Sequence, residues 1–288
     1  MRIIKPFISK MIRRIFLLNL CIFSSSFLQA QTAKEIIEKM LISISQTKTV
    51  TYSSVLTERI NGELQVAENK IKLHVLPFKS YVYLPKTGIE VLYVHGKNDN
   101  KAIIKPNKFP FVNLNIDVQS SLLRNKQHHS INELGFTYFG EIILSDISKA
   151  GAKYETRILY KGMKKWENYD CYVITIENPD FEHIKYTVKP NETVLNIAKR
   201  FKVSEYMILE NNKEISNYQD VKAGQTIKIP NYYSKKSILY IDKKTHLPVL
   251  KAIFDDKGLF EKYEYKNLIK NPILSEEEFS TNYKDYGF

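Results

Sequence analysis

The chain has 288 residues, of which 43 are basic and 31 acidic, so its formal net charge is +12. This length allows two domains, one of them small. The sequence contains no G-x-S-x-G or H-E-x-x-H motif, no phosphate-binding loop and no dinucleotide-binding fingerprint. The corresponding hydrolase, metalloprotease and nucleotide-dependent classes are therefore excluded, and no enzyme or cofactor is expected.

Residues 1–30 have the organisation of a secretory signal peptide. Five basic residues precede an apolar run, Ile15–Phe23, and a cleavage region ends at Ala30; residues 1–30 contain no acidic residue. The run is shorter than the roughly 20 apolar residues that a membrane-spanning helix needs. Lipid attachment at Cys21 is the alternative, but bulky Leu20 precedes this cysteine where lipoprotein signals have a small residue. The expected location is the periplasm or another part of the cell envelope or exterior.

Cleavage after Ala30 would lower the net charge to +7 and leave one cysteine, Cys171. An internal disulfide is then impossible, and Cys171, in a strand-like run, is expected to be a buried thiol. The moderate positive charge suits an anionic wall polymer or a membrane surface at least as well as nucleic acid. No nucleic-acid partner is expected for a secreted protein.

The first half of the mature chain predicts one helix followed by an antiparallel meander. Thr32 and Glu35 have the spacing of a capping box, and an apolar helical face follows them. Asn61-Gly62 is a strong hairpin turn signal. From Thr49 onward the period is two, which predicts strands at 50–56, 64–76, 80–84, 89–94 and 101–105, with 111–116 as a further candidate.

A second helix is predicted between Ser130, which has capping-box spacing to Glu133, and Gly151. Before it stand His128 and His129. They could be metal ligands, but adjacent side chains point apart and no second cluster of ligands accompanies them in sequence. The preferred interpretation is therefore a polar segment that leads into the helix. Further strands are predicted at 154–160, 169–177, 237–242, 246–254 and 259–268, with turns at 161–162 and 255–258 and a helical turn at 274–279.

Residues 186–230 predict strand, helix, helix, strand. The stretch contains Y-T-V-x-P at 186–190, E-T-V at 192–194, I-A-x-x-F at 197–201, V-S at 203–204, Asn212, and A-G-Q-T-I-K-I-P at 223–230. It resembles the LysM family over its whole length. The resemblance implies a βααβ fold that binds N-acetylglucosamine-containing glycans, mainly peptidoglycan or chitin, without catalysis.

In LysM domains the sugar lies in a shallow groove between two loops. Carried over to this chain, the resemblance implies that the groove is formed by Asn191, Glu192, Thr193 and Val194 on one side and by Asn212, Lys213, Glu214 and Ile215 on the other. The chain has Asn191-Glu192 where Gly-Asp is usual. Asn tolerates a positive φ, so the turn is expected to survive. A LysM fold kept as a spacer without glycan affinity is the alternative.

The segments that flank the LysM stretch are similar to LolA-like periplasmic lipoprotein carriers. The similarity rests on I-L-Y-I-D-K-K-T-H-L-P-V-L at 238–250, F-D-D-K-G at 254–258, E-Y at 264–265 and E-E-F at 277–279. H-H-S-I-N-E-L-G-F at 128–136 also resembles an uncharacterised secreted family with this architecture. The resemblance implies a curved antiparallel half-barrel whose hollow holds acyl chains. The candidate lining residues are Tyr81, Tyr83, Leu92, Val94, Phe136 and Phe139; alternatively, they only pack helix on sheet.

The predicted fold class is α+β: a curved antiparallel sheet with covering helices and an inserted LysM domain. The predicted domains are 31–181 with 234–288, interrupted by LysM at 182–233. Because LysM units begin and end on paired strands, such an insertion costs little. The predicted function is a secreted, non-enzymatic envelope protein that binds peptidoglycan and a lipid or lipoprotein acyl chain. The alternative is an envelope scaffold with a self-filled core.

Overall fold

Strands with period-two alternation dominate the computed structural model, which describes residues 31–109, 111–124 and 127–288. The predicted signal peptide and Cys21 lie outside the described residues. In chain order the strands are β1 (Thr49–Ile60), β2 (Glu63–His74), β3 (Lys79–Leu84), β4 (Ile89–Val94), β5 (Lys101–Lys105), β6 (Leu114–Asp117), β7 (Ile158–Trp166), β8 (Tyr169–Glu177), β9 (His183–Thr187), β10 (Thr226–Pro230), β11 (Lys236–Asp242), β12 (Pro248–Asp255) and β13 (Gly258–Lys270).

Eleven of these strands form one open antiparallel sheet in the order β6-β5-β4-β3-β2-β1-β13-β12-β11-β8-β7. The first strand of the chain thus pairs with the last, and β6 and β7 are the two edges. The β1–β2 hairpin turns at Asn61 (φ 54°) and Gly62 (φ 85°), because both positions need positive φ. The predicted antiparallel, unclosed sheet and this turn are confirmed.

The described helices are α1 (Ala33–Ser45), α2 (Ser121–Arg124), α3 (Thr137–Ala150), α4 (Tyr154–Arg157), α5 (Val194–Phe201) and α6 (Glu205–Asn211). The apolar faces of α1 and α3 cover one face of the sheet and form the main core with it. Short 3-10 turns occur at Asn98–Asn100, Ile131–Glu133, Gly151–Lys153 and Glu276–Phe279. None of the helices in the described ranges is long and apolar enough to cross a membrane.

Two local predictions were wrong in detail. The Ser130–Glu133 capping box exists, but it closes a 3-10 turn, and α3 begins only at Thr137. The segment 154–157 is helical rather than extended.

The predicted turn at Lys161-Gly162 is a bulge inside β7. Tyr160 pairs with Ile174 and Met163 with Tyr172, so β7 has one residue more than its partner, and Gly162 (φ 93°) takes the positive φ there. The hairpin turns instead between Trp166 and Tyr169.

The C-terminal segment covers the other face of the sheet. Phe279, Leu274 and Tyr286 pack on Tyr81 and its neighbours on β3 to β5. The rings of Tyr81 and Tyr286 stack with centroids 3.7 Å apart. Both faces of this half of the sheet are therefore covered by the chain's own residues.

The βααβ unit β9-α5-α6-β10 lies between β8 and β11, which pair directly with each other, Glu177 opposite Lys236. Strands β9 and β10 form a separate two-stranded sheet. The unit has its own apolar core, which includes Val194, Ile197 and Ile227. Met207 of α6, however, belongs to the main core, and residues 33–288 form one compact unit.

Candidate functional site

The two loops of the expected glycan groove lie side by side. The N–H of Val194 donates a hydrogen bond to the carbonyl oxygen of Tyr218 at 3.0 Å, which joins them. Asn191, Lys213 and Glu214 are exposed, and Glu192 and Thr193 are half-buried. Val194, Asn212 and Ile215 are buried and can offer a ligand only their backbone.

The unusual Asn191-Glu192 pair is accommodated in the first loop. Asn191 has φ 62°, the left-handed conformation that a glycine would otherwise supply. The Glu192 carboxylate accepts from Tyr186 Oη at 2.7 Å and from the N–H of Lys189 at 2.8 Å, and it pairs with Arg200. Partial burial opposes ionisation, but these donors lower the pKa of Glu192. The loop is thereby held by its own residues.

Thr193 and Asn212 have structural roles in the same loops. Thr193 Oγ1 accepts from the N–H of Asn196 at 3.3 Å and so caps α5, as its type predicts. The Asn212 amide donates to the carbonyl oxygens of Ile208 and Lys228 at 2.7 and 2.8 Å. Its Oδ1 accepts from the N–H of Lys228 at 2.8 Å, which binds the second loop to β10.

Charged contacts join the LysM unit to the large sheet and to α2. The guanidinium of Arg59 donates to both carboxylate oxygens of Glu210 at 2.9 Å and also pairs with Asp255. Arg124 donates to Glu205 at 2.5 Å, and its guanidinium lies 4.2 Å from the centre of the Tyr218 ring. Tyr218 is hydrogen-bonded to Val194 of the first loop, so Arg124 connects the expected groove to the larger part of the molecule.

A second candidate site lies on the helix-covered face of the sheet. We call it the ionic centre: Glu58 of β1, His128, His129 and Glu133 of the segment before α3, Lys251 of β12 and Glu261 of β13. Tyr233 and Tyr263 complete its hydrogen bonds. All but His129 and Glu133, which are partly exposed, are buried. The lead-in interpretation of the histidines was therefore wrong, because acidic partners come from strands distant in sequence.

His128 is held as an imidazolium. Its Nδ1 lies 2.9 Å from Glu261 Oε2 and its Nε2 lies 3.0 Å from the carbonyl oxygen of Arg59. Both neighbours are acceptors, so both ring nitrogens must donate. Burial opposes this charge, but Glu261 and Glu58 raise the pKa of His128.

Metal binding is a poor fit to this arrangement. Glu58, His128 and Glu261 offer ligand atoms that all lie within 4.8 Å of one another. A cation would need a lone pair on His128, yet both of its nitrogens already face oxygen acceptors. Within the described residues, the trio is better understood as an imidazolium between carboxylates.

His129 repeats the pattern beside His128. Its Nδ1 lies 3.3 Å from Glu133 Oε2, and its Nε2 lies 3.0 Å from Tyr233 Oη and 3.4 Å from Glu261 Oε2. Burial opposes the charge, but Glu261 and Glu133 raise the pKa of His129 well above its usual value. Glu261, although buried, has its pKa lowered by the two histidines.

Lys251 occupies an aromatic cage beside these groups. Its Nζ lies 4.6 Å from the ring centre of Phe139, 4.8 Å from that of Tyr263 and 5.5 Å from that of Tyr265. Burial lowers the pKa of Lys251 to about 8 against the attraction of Glu261 and Glu58. The cavity that this cage adjoins has a volume of about 70 Å³. That is room for a few waters rather than for a ligand of ordinary size.

A larger groove of about 300 Å³ lies between α3 and the LysM helix α5. Its apolar lining includes Leu73, Val75, Phe78, Leu134 and Leu195, and its charged lining includes Lys199 and Lys202 as well as Glu133, Glu141 and Glu205.

The six residues expected to line a lipid hollow are not brought together. Tyr81, Tyr83, Leu92 and Val94 lie in the cluster under the C-terminal segment, whereas Phe136 and Phe139 lie in the main core. Successive strand residues point to opposite faces, so Val82 and Val91 lie in the main core in place of their neighbours. A single cavity lined by all six is therefore not formed.

Sequence reasoning missed the ionic centre, although one signal was available. Glu261 alternates in phase with Tyr263 and Tyr265 along β13, and all three are buried. A carboxylate on the apolar phase of a strand requires a buried partner. The adjacent histidines were the candidate partners, but only the folded chain joins them.

The sequence profile described as "Protein of unknown function (DUF1571)" matches residues 49–201, more than half of the chain. The chain belongs to the DUF1571 family. The LysM profile matches residues 186–230, so this DUF1571 protein carries a LysM domain, as its motifs predicted. No curated protein matches the chain in sequence.

Three solved structures align with most of this chain at low sequence identity. MucB of Pseudomonas aeruginosa, in complex with MucA, aligns over 86% of this chain and 60% of that chain, with 14% identity and a TM-score of 0.42. The lipoprotein LppX of Mycobacterium tuberculosis aligns over 84% and 97%, with 12% identity and a TM-score of 0.40. A LolA superfamily protein of Nitrosomonas europaea aligns over 88% and 100%, with 10% identity and a TM-score of 0.31.

Proposed function

We propose that this DUF1571 protein is a secreted, non-enzymatic protein of the cell envelope that binds N-acetylglucosamine-containing glycans of peptidoglycan. The LysM match at residues 186–230 carries the proposal. The groove of residues 191–194 and 212–215 is the site. Its two loops are joined at Val194 and Tyr218, and its exposed rim includes Asn191, Lys213 and Glu214.

The groove offers a sugar two loops of fixed conformation together with exposed rim side chains. Asn212 and Glu192 are fully engaged in holding the loops, so little conformational entropy is lost when a glycan binds. The rim residues add hydrogen bonds to sugar hydroxyl and acetamido groups. The departure at Asn191-Glu192 preserves the turn and is compatible with affinity.

Co-sedimentation of the mature protein with insoluble peptidoglycan tests this proposal. Lys213→Ala/Glu214→Ala removes two exposed side chains of the rim, and we expect pelleting to fall at least tenfold. Lys243→Ala/Lys244→Ala, in the exposed turn between β11 and β12, removes more positive charge away from the groove and serves as the control. Pelleting of the wild type should be competed by soluble N-acetylglucosamine oligomers.

Two results would contradict glycan recognition in the groove. If the control loses as much pelleting as the rim variant, simple charge attraction explains the binding. If the wild type does not pellet, the LysM domain acts as a spacer. Deleting residues 182–233 is a poorer test, because Met207 of this segment belongs to the main core.

The larger part of the chain, residues 31–181 with 234–288, we propose to be a scaffold that positions the inserted LysM domain at 182–233. The helix-covered face supports this role, since its cavity of about 70 Å³ is bordered by the protein's own charged and aromatic residues. The bidentate Arg59–Glu210 contact and Met207 fix the orientation of the LysM unit.

A lipid or lipoprotein acyl chain is the second candidate ligand, and the groove beside α5 favours it. Its volume of about 300 Å³ reaches the range of small-molecule sites, and Leu73, Phe78 and Leu195 supply apolar surface. A fluorescent fatty acid should bind the wild type and not Leu195→Glu. Leu64→Glu, at an exposed apolar side chain of β2, is the control. Equal binding by both variants, or none by the wild type, would reject this ligand.

A further inference from the structure

The connection between β5 and β6 presents three large apolar side chains to solvent. Phe109 is 85% exposed, Phe111 65% and Val112 57%. We call these three side chains the apolar tip. The rings of Phe109 and Phe111 lie 6.5 Å apart in an edge-to-face arrangement, so they form one surface rather than two scattered residues. Contiguous exposed apolar surface of this kind usually marks an interaction site.

The base of this connection is fixed to the body of the protein. Asn107 Nδ2 donates to the carbonyl oxygen of Thr87 at 2.9 Å, which joins it to the turn between β3 and β4. The N–H of Phe111 donates to the carbonyl oxygen of Lys108 at 3.2 Å, and Phe111 has φ 58°. The aromatic side chains are therefore held outward by a turn at the end of the sheet.

The charged residues of the tip's own connection and of the adjoining turn are lysines. Lys86 lies in the adjoining turn and Lys108 directly precedes Phe109, and both are exposed. Residues 85–88 and 106–113 contain no acidic residue. Aromatic side chains flanked by lysines complement an anionic bilayer surface, where rings enter the boundary below the headgroups and ammonium groups meet lipid phosphates.

We propose that the apolar tip inserts into an anionic membrane surface, with Lys86 and Lys108 at the lipid headgroups. An uncharged protein surface would be a poorer partner for the lysines, and a polar glycan would leave the phenyl rings unpaired. This contact is independent of the LysM groove, which lies in a different part of the chain. The protein would thereby contact peptidoglycan and a membrane through separate surfaces.

Flotation of the mature full-length protein with vesicles tests the proposal. Vesicles of phosphatidylglycerol and phosphatidylethanolamine should carry the protein upward, whereas pure phosphatidylcholine vesicles should carry much less. Phe109→Ser/Phe111→Ser should lower the vesicle partition coefficient at least tenfold, because two rings no longer leave water. Lys86→Gln and Lys108→Gln should each lower it about fivefold on anionic vesicles.

Ile273→Ser is the matched control, because Ile273 is 101% exposed but lies outside the tip. It should float as the wild type does. Thermal unfolding of each variant verifies that it is folded, and peptidoglycan pelleting should be unchanged in all of them. Flotation of Phe109→Ser/Phe111→Ser equal to the wild type, or no flotation of the wild type, would overturn the proposal; in the latter case a protein partner would have to account for the tip.

Discussion

The LysM unit and the helix-covered face of the large sheet bury different kinds of side chain. The LysM core consists of apolar residues such as Val194, Ile197 and Ile229, and the buried Glu205 of this unit pairs outside that core with Arg124 of α2. The large sheet instead buries an imidazolium, an ammonium group and carboxylates together. The small apolar core of the LysM unit is formed by residues close together in the chain, so its fold can be predicted from 45 consecutive residues. The ionic centre depends on residues from β1, β12, β13 and the segment before α3.

The sharpest test of this difference is Glu261→Gln. It removes the buried carboxylate between the buried imidazolium of His128 and the partly exposed one of His129. We expect a loss of about 5 kcal/mol in the free energy of unfolding, the upper end for a broken buried pair. Glu264→Gln, on the same strand and paired with Lys262, should change stability little. Denaturant unfolding at neutral pH measures both.

The same substitution should change the dependence of stability on pH. The pKa of His129 is raised in the folded protein, so its contribution is fully present below pH 6.5 and is lost as pH rises through the raised value. The pKa of Glu261 is lowered, so its contribution is present above pH 4.5 and is lost as pH falls through the lowered value. Glu261→Gln should abolish the loss at low pH and weaken the loss at high pH, because Glu133 still faces His129. A variant that keeps the wild-type profile would show that Glu261 does not contribute to it.

Arg59→Met tests the joint between the two regions. The change leaves Glu210 and Asp255 without their shared guanidinium, and we expect it to cost about 3 kcal/mol. Lys34→Met, which breaks an exposed pair with Glu155, is the control and should have no measurable effect. In thermal unfolding, the LysM unit of Arg59→Met should unfold in a separate transition at lower temperature. A single transition at the wild-type temperature would mean that Arg59 does not couple the two regions.

Met207→Ala compares apolar burial in the two cores. We expect a loss of about 2–3 kcal/mol, because Met207 of α6 is fully buried in the main core. Ile197→Ala, in the LysM core, should cost a similar amount but act on the LysM unit alone. Hydrogen exchange separates them: Met207→Ala should also increase exchange in β1, whereas exchange confined to residues 186–230 in both variants would argue against shared packing.

The smallest effect is expected for Lys251→Met. An apolar side chain of similar length fits the cage of Phe139, Tyr263 and Tyr265, so the free energy of unfolding at pH 7 should change by less than about 1 kcal/mol. The pKa of Lys251 is lowered to about 8, so the wild type should gain stability as pH rises from 8 to 10.5, and the variant should lack this gain. A large loss at pH 7 would show that the ammonium group itself is needed.

Local signals predicted most of the architecture. The hairpin at Asn61-Gly62, the alternation of β3, β4 and β13, and the capping of α5 by Thr193 follow from short-range sterics and hydrogen bonding. Errors arose where tertiary packing outweighs local preference. Gly162 serves a bulge instead of a turn, and the Ser130 box closes a 3-10 turn instead of α3.

The sequence by itself determined that the chain forms an antiparallel sheet, that residues 186–230 make a LysM domain and that its ends lie on neighbouring strands. These features depend on residues close together in the chain. Only the tertiary structure decided that His128 faces Glu261, 133 residues away, that Tyr81 and Phe136 lie on opposite faces, and that Met207 leaves its own module for the main core. Such pairings depend on strand order and register, which bring distant residues together but produce no periodic pattern in the sequence.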